Sequence, residues 1–397
     1  MNKPIFFQKC FVTFLFGLLT LITFRNNLSA EELLEYKPTY QQNKKAFLEL
    51  VQSAHKINTQ ITALSWPNII NSDLTTDLLL FKDQKKAQQE VIIFSSGIHG
   101  IEGYVGSAIE RWLIKNYLQE LSKNRDVLMI HTLNPWGMQN YRRVDQNNID
   151  LNRNFSNNSA LYQSTNHNYI QINDFLNPKE PLDLWFLHSL QFIFKSIFLI
   201  SQKSIETLRN SILQGQYQNP KGLYFGGFEA QPLQTNIKNL IQKKLYNYSR
   251  IIWIDLHTGY GERAKLHLLS NETQESQIKK IKNTFSNSNI DFGSQKKFYQ
   301  TTGDLTSYLM SLSQNTKQEI YSLAFEYGTM DSQNTLGSIE SLRRMVIENQ
   351  LSQNGPANQS SLVQTQKLFK DMFFLEDEDW TKRIQSQTLI ALKPFLN

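Results

Sequence analysis

Val91-Ile-Ile-Phe94-Ser-Ser-Gly-Ile-His99-Gly-Ile-Glu102-Gly103 is a short apolar run that ends in a polar turn flanked by glycines. Three further runs of the same character follow: Val127-Leu-Met-Ile130, Ile251-Ile-Trp-Ile254 and Tyr321-Ser-Leu-Ala-Phe325. Continuous, β-rich apolar runs of this length suit strands buried on both faces. Helical patterns lie between them, at Val105–Ile114 and Leu233–Tyr248. The alternation predicts an α/β fold: one domain over residues 35–395, with a mixed, mostly parallel central sheet flanked by helices. Residues 31–60 read as helical and peripheral, 156–180 as a long Asn- and Ser-rich surface loop, and 183–214 as an inserted helical pair. No internal repeat and no linker divides the chain.

In open α/β sheets, ligands sit beyond the carboxyl ends of the strands, and the chemically loaded residues fall there. His99 and Glu102 follow the first run. Asn134, Arg142 and Arg143 follow the second, Asp255 and His257 the third, and Glu326 the fourth. His-x-x-Glu after a buried strand can turn both side chains toward one point, since the adjacent glycines permit a tight backbone. Ile254-Asp255-Leu-His257-Thr-Gly259 adds a third ligand. Two histidines and one glutamate with an open fourth position form a catalytic zinc set. Asp255 either partners a ligand or forms the floor of the site. His55, His131, His167, His188 and His267 have no such context.

The stretch from Asn134 through Arg142-Arg143 to Asp150-Leu-Asn152-Arg153-Asn154-Phe155 is an anion cradle. Guanidinium forks match carboxylates bidentately, and an arginine facing a metal can stabilise an oxyanion.

These strings, with Phe325-Glu326-Tyr-Gly-Thr329, resemble the zinc carboxypeptidase superfamily in order and spacing over residues 90–330. Gln214-Gly-Gln-Tyr217 and Gly-Leu-Tyr224-Phe-Gly-Gly227 are similar to the glycine-rich stretch of a bacterial, DUF2817-like branch. Aspartoacylase and succinylglutamate desuccinylase are more distantly similar. The resemblance implies one Zn2+ on His99, Glu102 and His257, and Asn152 and Arg153 on the substrate carboxylate. It implies Arg143, or Arg142, polarising the scissile carbonyl, and Glu326 as general base. Burial at the end of an apolar strand would raise the Glu326 pKa. The loop between the arginines and Asp150 is short for the superfamily, and a substrate-capping tyrosine is open among Tyr260, Tyr299 and Tyr327.

The remainder of the chain bounds the setting. Lys3 and Lys9 precede the apolar run Cys10–Phe24, and Leu28-Ser-Ala30 precedes Glu31. That is the plan of a secretory signal peptide over residues 1–30, shorter in its apolar part than a membrane span. Export would place the protein in a periplasm or outside the cell, with no stable membrane span after cleavage. Cys10 is the only cysteine among 397 residues, so the mature chain has no thiol for a disulfide or a metal. The formal charge of +6 includes Lys3, Lys9 and Arg25, and no acid lies in that segment, so +3 remains without it. No basic stripe with interleaved aromatics suggests nucleic acid. The expected partner is a small peptide or an acylated amino acid. The expected activity is zinc-dependent hydrolysis of an amide next to a free carboxylate, most simply by a metallocarboxypeptidase. The alternatives are an N-acyl-amino-acid deacylase and a secreted, non-catalytic binding protein on the same fold. No Gly-x-Ser-x-Gly elbow and no phosphate-binding Gly-x-x-x-x-Gly-Lys loop is present.

Overall fold

The computed structural model describes residues 32–54, 59–83, 88–185, 187–292, 301–313 and 316–396. The expected signal segment, Tyr299 and His55 lie outside them. Eight strands form a single sheet: β1 (Thr59–Pro67), β2 (Thr75–Asp83), β3 (Glu90–Ser96), β4 (Asp126–His131), β5 (Arg250–Gly259), β6 (Leu266–Ser270), β7 (Ile290–Phe292) and β8 (Glu319–Gly328). Their order is β1-β2-β4-β3-β5-β8-β6-β7. The four expected runs are the central strands β4-β3-β5-β8, all parallel to one another. Antiparallel pairs join β1 to β2, β2 to β4 and β6 to β8, so the sheet is mixed around a parallel centre.

Period-two alternation splits each central strand between two cores. Ile92, Phe94, Ile252 and Ile254 face α2 (Gly103–Leu121) and a C-terminal helix, Glu378–Leu396, through Val105, Ile109, Trp112 and Ile384. Val91, Ile93, Ile251 and Trp253 share the opposite core with Ile237 and Ile241, and with Leu305 and Leu309. Those partners belong to the helical segment Pro232–Lys244 and to the helix Leu305–Ser313. The segment 31–60 is less peripheral than its sequence suggests. Its helix α1 (Tyr40–Ala54) buries Phe47 and Leu50 in the core under β2.

The polar stretch 156–180 is folded into three short helical turns rather than an open loop. Its asparagines act as caps: Asn158 Oδ1 accepts from Ala160 N and Asn166 Oδ1 from Tyr169 N. The expected helical pair is α3 (His188–Lys203) and α4 (Ile205–Leu213). Together with two helices further along the chain, Thr335–Asn354 and Gln359–Phe373, the pair encloses a third apolar cluster at the carboxyl end of the sheet.

Candidate metal centre

The turn after β3 is shaped by close backbone approach. Gly97 has φ +63°, and a Cβ there would meet Thr132 Oγ1 at 1.8 Å. A Cβ on Gly100 would lie 2.1 Å from the Gly137 carbonyl carbon, so only glycine fits. The backbone then laces this turn to the arginine loop: Gly100 N donates to Arg143 O at 3.1 Å and Ile101 N to Arg142 O at 3.0 Å. Asn134 adds to the same lacing by capping the helix Pro135–Gln139, with its amide donating to Arg143 O at 3.4 Å. One 3-10 turn, Gly100–Glu102, carries Glu102 to the start of α2 beside His99. His257 comes from the end of β5, in register with Glu326 on β8.

His99, Glu102 and His257 are all buried, and one donor atom of each lies within 4.8 Å of the others. His99 Nδ1 is 2.9 Å from Glu102 Oε1, and His257 Nδ1 is 3.0 Å from Glu102 Oε2. The outer nitrogen of each ring faces a buried carboxylate. Asp255 Oδ2 stands 2.7 Å from His257 Nε2, and Asp150 Oδ1 stands 3.2 Å from His99 Nε2. This carboxylate–histidine arrangement orients imidazoles whose inner nitrogens bind a metal. Asp255, open between two roles in the sequence, partners His257, and Ser95 Oγ donates to its other oxygen at 2.6 Å.

The charges also fit a cation. Glu102, Asp150, Asp255 and Glu326 are all buried, while Arg143 is the guanidinium in direct contact with Glu102 and Asp150. Burial opposes charge on His257, yet Asp255 and Glu102 raise its pKa well above the ordinary imidazole value. Burial opposes ionisation of Glu102 too, and the two histidines overcome it and lower its pKa. The pocket therefore draws positive charge to the point where three donor atoms converge, and the residues present fit a divalent metal ion.

Glu326 lies on the rim of this centre. Tyr260 N donates to its Oε1 at 2.9 Å, and burial, reinforced by Glu102, raises its pKa to about 8. Arg143 lies over the Tyr224 ring, with Nε 3.1 Å from Asp150 Oδ2 and Nη2 2.6 Å from His99 Nε2. With its proton on Nε2, His99 donates to Asp150 and its Nδ1 lone pair is available to a metal. With the proton on Nδ1, Nε2 accepts from Arg143. Metal ligation through Nδ1 thus removes the acceptor that Arg143 uses here.

Asn152 and Arg153 line the same cavity as the three donors, Arg143 and Glu326. Asn152 Oδ1 caps Leu305 N at 2.9 Å, and Arg153 is held by Leu213 O and Asn152 O at 2.9 and 2.7 Å. Arg142 is not brought to the cavity. It points to the helix Thr335–Asn354, paired with Glu348 and Ser352, and donates to Asn148 Oδ1 at 3.1 Å. Of the candidate capping tyrosines, Tyr260 lines the cavity, whereas Tyr327 is buried in the sheet core with its hydroxyl 2.8 Å from Thr388 Oγ1. The structure adds Asp150 as a histidine partner, Tyr224 as the shelf under Arg143 and Arg153, and Arg209 on the cavity wall. Asp150 had a signal in its place before Asn152-Arg153; Arg209, inside the inserted pair, had none.

Comparison with solved structures finds bovine thrombin-activatable fibrinolysis inhibitor in complex with tick carboxypeptidase inhibitor, at 12% identity and a TM-score of 0.44 over 80% of this chain and 97% of that one. A metallo-carboxypeptidase from Pseudomonas aeruginosa, in complex with (2-guanidinoethylmercapto)succinic acid, gives 12%, 0.40, 88% and 68%. An aspartoacylase family protein from Mesorhizobium loti gives 11%, 0.35, 75% and 68%. No curated protein matches the sequence. The family model described as "Protein of unknown function (DUF2817)" matches residues 36–387, and the chain belongs to that family.

Proposed function

We propose that this protein is a zinc-dependent hydrolase that cleaves an amide bond next to a free carboxylate. The observation that carries the reading is the convergence of His99, Glu102 and His257 in one cavity with Glu326, Arg143 and Arg153. A zinc ion held by the first three would polarise the scissile carbonyl and acidify water. Arg153 and Asn152 hold the substrate carboxylate and so fix its register. Glu326 accepts a proton from the attacking water and returns it to the leaving nitrogen. The pKa of about 8 belongs to the site without a cation, and a nearby dication would lower it toward the range of a working base. Arg143 offers N–H donors to the oxygen that gains charge in the transition state.

A peptide with a free C-terminus and an N-acyl amino acid present the same amide and carboxylate, so both belong to the expected substrate class. Residues 1–30 are proposed as a cleaved export signal, with residues 35–395 as the catalytic domain. Among the described residues no helix is long and apolar enough to cross a membrane. The test is amine release from C-terminal dipeptides and N-acyl amino acids by zinc-loaded protein, with Glu326→Ala as control. Turnover by wild type that is lost in the variant supports the proposal. Zinc-loaded, folded protein that cleaves neither class contradicts it and favours the binding-protein alternative.

A further inference from the structure

The cavity that holds the metal donors has two unlike walls. On one side stand Asn152, Arg153, Asn271, Thr301, Asp304 and Thr306. These are tied to one another: Asn271 donates to Thr301 at 2.9 Å, Thr301 to Asp304 at 3.1 Å, and Leu305 N to Asn152 at 2.9 Å. On the other side stand Leu199 and Ile200 from α3, Leu208 and Ile212 from α4, and Met345 and Phe373 from the two helices that follow Glu326. They belong to the third apolar cluster, separate from both faces of the sheet. The cavity encloses about 1500 Å³ when the solvent-filled space at its open mouth is included.

The polar groups on the apolar side are mostly occupied. Ser196 Oγ donates to Phe192 O at 2.9 Å, and Arg209 reaches Ser338 Oγ at 3.3 Å. Ser341 Oγ alone on that wall is buried with no hydrogen-bond partner among the described residues. Space bounded by Leu, Ile, Met and Phe holds hydrocarbon better than water. A large apolar group has no such lining on the opposite side, where it would strip water from Asn152, Asn271, Thr301 and Asp304.

We infer that the substrate is an amphiphile, an N-acyl amino acid whose long hydrocarbon acyl chain fills the chamber between α3, α4 and the helices after Glu326. This rests on the proposed hydrolysis of an amide beside a carboxylate. The carboxylate lies at Arg153 on the polar wall, the amide at Glu326, and the acyl chain on the apolar wall. Cleavage adds water across the C–N bond, giving a fatty acid and a free amino acid, with no oxidant or other co-reactant.

The test is a homologous series of N-acetyl, N-octanoyl and N-dodecanoyl derivatives of one small amino acid, below their micellar concentrations, with zinc-loaded protein. Transfer of one methylene from water is worth up to roughly fourfold, so kcat/KM is expected to rise at least about a hundredfold from acetyl to dodecanoyl. Ser196 and Leu342 line the cavity on the apolar wall, so Ser196→Trp and Leu342→Trp, each placing an indole in the chamber, are expected to remove that rise and leave the acetyl substrate within about threefold of wild type. Equal kcat/KM across the series in wild type overturns the inference. So does a length preference that appears only when the alkyl chain is moved to the amine side of the amide. If no compound is cleaved, calorimetric binding of the N-dodecanoyl derivative separates the two claims. Binding lost in Ser196→Trp upholds the chamber and removes the hydrolase reading, while no binding removes both.

Discussion

Asp255 Oδ2 lies 2.7 Å from His257 Nε2, on the side of the imidazole opposite the nitrogen that faces Glu102. The two residues are separated by one position on β5, and Asp255 is fully buried. A carboxylate so placed keeps the Nε2 proton and leaves Nδ1 free as a ligand. Asp255→Asn is therefore expected to weaken zinc binding roughly 10- to 100-fold without unfolding the protein, as read by competition with a chromophoric chelator. Unchanged affinity in a folded variant would mean that Asp255 has no part in orienting the ligand.

Glu326 should separate chemistry from metal binding. Glu326→Gln keeps the shape and removes the base, so turnover is expected to fall at least about 100-fold with zinc content unchanged. Loss of zinc in that variant would place Glu326 among the ligands instead.

The adjacent arginines should behave differently. Arg143→Gln removes the donor beside His99 and is expected to lower kcat by about 10²- to 10³-fold. Arg142→Gln leaves Glu348 buried without its partner, which is expected to cost up to about 3 kcal/mol of stability and leave kcat within a few-fold. Denaturant unfolding and steady-state kinetics on both variants check the contrast. Equal kcat losses would contradict it.

His131 supplies a pH signature away from the metal centre. It is fully buried against Phe47, and desolvation, followed by Arg111, lowers its pKa from 6.5 to about 3. The unfolded chain takes up this proton below pH 6.5 while the folded chain refuses it until about pH 3. The contribution to stability is therefore complete above pH 6.5 and is lost as pH falls through that window, at up to about 1.4 kcal/mol per pH unit. Chelator-treated wild type should lose stability between pH 6.5 and 5 more steeply than His131→Phe. Parallel profiles would contradict the assignment.

How far the sequence disclosed this molecule depends on how local each signal is. The central strands were legible because Val91–Phe94 and Ile251–Ile254 are apolar at every position, as burial on both faces requires. β1 was not, since Gln60, Ala63 and Ser65 alternate with more buried residues in a weak pattern at the sheet edge. His99, Glu102 and His257 could be named because the first two follow the apolar run Val91–Phe94 and the third follows Ile251–Ile254. Asp150 was visible as a motif residue, but its contact with His99 spans 51 positions and depends on the arginine loop folding back. Arg142 and Arg143 are both laced to the turn after β3, but only Arg143 lines the cavity, while Arg142 turns to Glu348, a contact far along the chain that no local pattern shows. The apolar chamber is assembled from two pairs of helices that lie far apart in the chain, and their meeting leaves no local trace.

The most direct test of the central claim is the metal content of the protein spanning residues 31–397, by elemental analysis of wild type and His257→Ala after zinc loading and desalting. About one zinc per wild-type chain and a large loss in the variant are expected, with circular dichroism unchanged. Folded wild type that retains no zinc, or a variant that retains all of it, would contradict the metal centre and the hydrolysis built on it.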